Sequence, residues 1–129
     1  MSIRVKQDLS EITIQRSIQP QTISSNTTVN GSSIDLTTVA NGKVRVVGII
    51  GVGTRTDGTY AVKLQDSTDN SAFADLTTVV GDASNITAAN TARRLTATAY
   101  RRYVRAVITS TSVTTGAQVS ADIVVAGRP

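Results

Sequence analysis

The chain has 129 residues and a formal net charge of +4, with no Cys, no His, no Trp, three Tyr and a single Phe. Without histidine or cysteine, it has no Ser-His-Asp or Cys-His catalytic machinery, no imidazole or thiolate metal site and no disulfide. Its length suits one domain. No apolar run approaches the ~20 residues of a membrane span, and residues 1–21 carry charges where a signal peptide has its apolar core, so a soluble chain made in the cytoplasm is expected.

Residues 1–25 hold scattered apolar side chains (Ile3, Val5, Leu9, Ile12, Ile14, Ile18) among charges and glutamines, with Pro20 late in the run. Neither a helical nor a strand period lasts long enough to convince, so an extended N-terminal arm that orders by lying on something else is expected. From residue 26 the pattern becomes regular. The Asn30-Gly31 and Asn41-Gly42 dipeptides predict turns, with a short strand over 33–39 between them. Residues 43–50 (KVRVVGII) predict a strand, with Gly48 marking a bulge where the alternation shifts phase. Asp57-Gly58 predicts a turn into a half-buried strand led by Tyr60, Val62 and Leu64. Asp66 to Ser71 is a polar loop, 73–80 a strand and 82–90 a loop. Residues 94–99 and 103–109 predict strands, and the Thr115-Gly116 turn leads into a last strand in which Val119, Ala121, Ile123 and Val125 share one face.

The composition supports this reading. Sixteen Val, eleven Ile and twenty Thr stand against one Glu and three Lys, a β-branched vocabulary that fits pleated sheets better than helices. The expected architecture is therefore all-β: an antiparallel β-sandwich or small β-barrel, jelly-roll-like, over residues 26–129 behind an arm of residues 1–25. Few aromatics leave a thin core, so self-association is expected. Charge is unevenly spread. Residues 1–55 carry six basic and three acidic groups, residues 56–92 one and five, and residues 93–129 six and one. A basic end can meet the chain's own acidic middle or a charged neighbour.

Motifs for chemistry are weak. The segment 51–58 (GVGTRTDG) lacks the Lys-Ser/Thr ending of a phosphate loop and precedes a strand, so a hairpin loop explains it. Asp66, Asp69 and Asn70 lack the calcium-loop spacing, and the aspartates sit where turns want them. No enzyme activity, cofactor, metal or small-molecule substrate is expected. The cluster Arg93, Arg94, Arg101, Arg102 and Arg105 suits carboxylate or phosphate. Tyr100 and Tyr103 beside it would suit stacked nucleic-acid bases, but alternation divides the cluster over two faces, with Arg101, Tyr103 and Arg105 on one of them. Protein contact is the expected role, with neither nucleic acid nor membrane as partner.

The runs Asp57-Gly58-Thr59-Tyr60, Lys63-Leu64-Gln65-Asp66-Ser67, Asp69-Asn70-Ser71 and Phe73-Ala74-Asp75-Leu76 occur in that order. They are followed by residues 101–107 (RRYVRAV) and Thr114-Thr115-Gly116-Ala117, and preceded by residues 3–9 (IRVKQDL). In order and spacing the chain resembles a family of small tailed-bacteriophage proteins, encoded near the major capsid protein and described as head decoration (capsid cement) or minor structural components. The resemblance implies a β-rich virion protein on the outer capsid surface, often a homotrimer, that clamps neighbouring major capsid protein subunits. The arm (Ile3, Val5, Leu9, Ile12, Ile14, Ile18) and the five arginines are the candidate contacts. The alternative is a phage tail, fibre or receptor/carbohydrate-binding β module, which needs exposed aromatics in a groove.

Overall fold

The computed structural model describes residues 13–36, 44–77 and 80–125. Among these residues there are strands, turns and loops but no helix. The strands are β1 (Thr13–Ile23), β2 (Thr28–Asn30), β3 (Ile34–Asp35), β4 (Val44–Arg55), β5 (Thr59–Ser67), β6 (Ala74–Asp75), β7 (Val80–Gly81), β8 (Thr91–Ala99), β9 (Tyr103–Thr111) and β10 (Ala117–Val125). They form two antiparallel sheets. The first runs β1-β10-β4-β8-β7; the second runs β2-β9-β5-β6, with β3 also on β9. β1 pairs with β10, β2 and β3 with β9, β4 with β8, and β5 with β6. These nested pairs, joined through β4–β10 and β5–β9, are the double Greek key of a jelly roll. The result is an open sandwich and not a closed barrel.

Alternation supplies the core. Val44, Val46, Ile50 and Val52 of β4, Tyr60, Val62 and Leu64 of β5, and Val119, Ala121, Ile123 and Val125 of β10 all face inward and are buried. Gly48 lies within this series and marks no bulge: the register with β8 runs unbroken through it, with Gly48 opposite Leu95. A Cβ there would meet the Leu64 side chain at 2.7 Å, so the glycine makes room for Leu64. With the phase unbroken, Val47 and Ile49 turn outward.

Three further expectations change. The expected arm ends earlier than residue 25, because residues 13–23 are the edge strand β1, with Ile18 and Ile23 buried in the core. Shifts of register on either side of Ile18 had hidden the alternation, and Pro20 is tolerated because an edge strand has one unpaired side. Residues 1–12 lie outside the described residues. The strand expected over 73–80 is two short pieces in different sheets, β6 and β7. Asn30-Gly31 is not a hairpin turn: Gly31 donates its N–H to Ala106 O, and a Cβ there would meet Ala106 O at 2.8 Å and Ser17 O at 2.9 Å. Asn41-Gly42 lies outside the described residues, whereas the turns at Gly58 and Gly116 form with positive φ.

Candidate protein-interaction surfaces

The five arginines do not make one strip. Arg93, on β8, donates to Ser84 O and Asn85 O at 3.2 and 3.3 Å and lies 3.7 Å from Asp82, which ties the 82–90 loop back to its own sheet. Arg102 makes a bidentate pair with Asp35 at 3.0 and 2.8 Å and stacks 5.0 Å from the Tyr103 ring centroid. The Asp35 carboxylate raises the Arg102 pKa. On the outer face of the second sheet, Arg105 gives both Nε and Nη2 to Gln65 Oε1 and lies 3.8 Å over the Phe73 ring. Burial lowers the Arg105 pKa. Arg101 sits in the turn before β9, so the alternation that groups it with Tyr103 and Arg105 does not reach it. Its guanidinium is 3.9 Å from Asp66. Three basic residues thus pair with acids or amides of residues 56–92, within the chain.

Arg94 is different. It projects from the outer face of the first sheet, exposed and with no ion pair among the described residues. That face is built in cross-strand rows. One row is Ile14, Val124, Val47, Thr96 and Val80, reading across β1, β10, β4, β8 and β7. The next is Arg16, Asp122, Ile49 and Arg94, ending at Asp82, whose N–H bonds Arg94 O. Ile14, Ile49 and Val80 are 67%, 42% and 51% exposed, an apolar patch on a sheet face of the kind that marks contact sites. Arg16 and Asp122 form an ion pair at 3.0 Å. Ile14 is the arm residue that the structure leaves exposed; Ile18 is core, and Ile3, Val5, Leu9 and Ile12 lie outside the described residues. Composition alone does not reveal this face, because Val47 and Ile49 read as core until the phase of β4 is known.

A cleft of about 520 Å³ opens where the second sheet meets the turn after β8, lined by Asp66, Asp75, Leu76, Thr98, Tyr100 and Arg101 among others. Tyr100 is 63% exposed. Asp66 is buried at the cleft, accepting the Tyr100 N–H at 3.3 Å. Asp75 accepts from Gln65 at 2.8 Å and from Lys63, and these bonds lower its pKa. No group of three or more metal-ligating side chains comes together among the described residues.

No protein-family model matches the chain, and no curated protein matches it. Among solved structures it is similar to a chain in the structure of infectious bursal disease virus Gx strain, with TM-score 0.59 and 11% identity, over 88% of this chain and 32% of that one. The chain therefore spans about a third of that neighbour. It is also similar to the SPBc2 prophage-derived protein YomS, with TM-score 0.55 and 14% identity, over 88% of this chain and 91% of that one. At these identities the likeness is one of fold.

Proposed function

We propose that the protein is a virion structural protein of a tailed bacteriophage, which binds across neighbouring major capsid protein subunits on the outer capsid surface and stabilises the shell. The observation that carries this reading is the jelly-roll sandwich, shared over 88% of the chain with a viral chain and with a prophage-derived protein of nearly the same extent. Fold alone does not assign function, and the architecture also serves lectins. The lack of histidine and cysteine and the exposed apolar residues on the outer sheet face favour a role in binding proteins over one in catalysis. A clamp of this kind adds buried area across a subunit junction and opposes outward pressure without turnover. Residues 1–12 are the segment proposed to lie along the capsid, and a homotrimer is the stoichiometry that the family resemblance suggests for the protein bound to the shell, apart from any association of copies in solution. Mass spectrometry of purified virions tests the reading: the protein should be present in fixed ratio to the major capsid protein and co-sediment with capsids. Its absence from virions would end it.

One observation favours a second reading, a receptor- or carbohydrate-binding module of the tail or fibre. The cleft sets an exposed tyrosine beside two carboxylates, the apolar-face-and-acceptor chemistry that suits a sugar. Glycan-array binding that is lost in Tyr100→Ala would move the assignment there.

A further inference from the structure

We infer that the outer face of the first sheet is a two-fold contact between copies of this chain, with β4 on the axis. β4 is the central strand of five, so each row across the sheet has two positions on either side of it. When two copies pack face to face, the two-fold axis lies between the sheets. An axis running along β4 sets each row against itself reversed. In the charged row, Asp122 of one copy then faces Arg94 of the other and Ile49 meets Ile49, while Arg16 lies toward Asp82, which its own chain already pairs with Arg93. In the apolar row, Val47 meets Val47, Val124 meets Thr96 and Ile14 meets Val80. An axis running across the strands through Ile49 would instead set Arg94 against Arg94 and Asp122 against Asp122. Charge therefore selects the first arrangement and argues for a second copy as occupant. The basic member of the key pair, Arg94, is exposed and makes no ion pair within its own chain among the described residues.

The patch has definite ends. Arg45, outward on β4 beyond Val47, would meet its own copy, so the sheets part there. At the other end Gly51 and Ala92 lower the surface into a shallow hollow. Five strands about 4.8 Å apart, with about 20 Å of β4 between Arg45 and Gly51, give a projected face of roughly 400 Å². That is small beside the ~800 Å² per partner of a standard stable interface, so the dimer forms in the micromolar to millimolar range.

Sedimentation equilibrium of the full chain from about 10 µM to about 1 mM reads this directly. A concentration-dependent dimer is expected. Arg94→Asp and Asp122→Arg should each weaken it at least about tenfold, because each pair occurs twice in an isologous contact. The doubly swapped protein should regain much of the affinity that the single changes lose, short of wild type because Asp122→Arg also removes the Arg16 ion pair within the chain. In one chain these two residues flank Ile49 on strands about 10 Å apart, so rescue points to a contact between copies. Because the chain has no cysteine, Ile49→Cys supplies a unique thiol, which a short bis-maleimide should link across the axis. Circular dichroism confirms that each variant is folded. A wild-type monomer at 1 mM, a trimer, or a double swap no better than the single changes would overturn the contact. So would a monomer that dimerises only when residues 1–12 are deleted, which would assign the face to that segment. None of these outcomes bears on whether the protein is in virions, so the capsid reading stands or falls separately.

Discussion

Asp57 accepts the backbone N–H groups of Thr114, Thr115 and Gly116 at 2.8–3.1 Å. It thereby ties the turn between β4 and β5 to the turn between β9 and β10. The sequence showed an Asp-Gly turn there but not this long-range role, because the three donors lie almost sixty residues away. The donated bonds, Thr115 first, hold the Asp57 pKa below its ordinary 3.8. A lowered carboxylate stabilises the fold above its unfolded pKa and loses that contribution as pH falls through the folded value. Asp57→Asn should therefore be less stable than wild type at pH 7, with the gap narrowing as pH falls below 3.8; urea unfolding at pH 7 and in acid would show it. An equal gap at both would mean that the charge contributes nothing. Two glycines make a matched pair at the same scale. Gly31→Ala pushes a Cβ against backbone oxygens of Ala106 and Ser17, whereas Gly48→Ala pushes one against the Leu64 side chain. Overpacking costs about 1–3 kcal/mol. Gly31→Ala should fall at or above the top of that range and Gly48→Ala near the bottom, because Leu64 can rotate and the backbone cannot.

Strands with clean alternation or a dense β-branched run were legible in the sequence: β5 from Tyr60 and β10 from Gln118 by alternation, and β9 from Tyr103 by its run of apolar residues. Those that failed were broken by long-range bonding. In β1 the chain bulges at Ser17, which is buried and joins the two sheets: its hydroxyl donates to Ser32 O at 2.9 Å and accepts the Ala106 N–H of β9 at 3.0 Å. No local pattern announces a serine that closes the edge of a sandwich. Ile86 is similar, a fully buried residue in a run that reads as loop, held by paired backbone bonds to Tyr60. Ser17→Ala would leave the Ala106 N–H buried and unpaired, at a cost of about 1–3 kcal/mol. Thermal unfolding should show this as a lowered Tm, and hydrogen exchange should show faster exchange at Ala106 than at its β9 neighbours. If Ala106 stayed as protected as they are, the bulge would not depend on the hydroxyl.

At the scale of the molecule, the candidate site was legible as chemistry but not as geometry. The basic end and acidic middle do meet, at Arg93–Asp82 and Arg101–Asp66, but pairing within the chain disperses the arginines over both sheets. The face left over was set by the phase of β4, which turns Val47 and Ile49 outward. The edge of that same sheet decides what the N-terminal segment is. Two truncations separate an arm from a strand. The core of the described residues runs from Ile18 to Val125, so deleting residues 1–12 should leave the unfolding transition in place while weakening attachment to capsids, if those residues lie along the shell. Deleting residues 1–23 removes Ile18 and Ile23, each worth about 2–5 kcal/mol when buried, together with the Ser17 bridge, and bares the edge of β10 to pairing with other chains. Set against a total stability of about 5–15 kcal/mol for an ordinary domain, the longer truncation should not fold cooperatively and should aggregate. A 1–23 deletion that melts like wild type would make β1 a detachable arm after all, and capsid binding by the 1–12 deletion at full occupancy would move the attachment surface onto the sandwich.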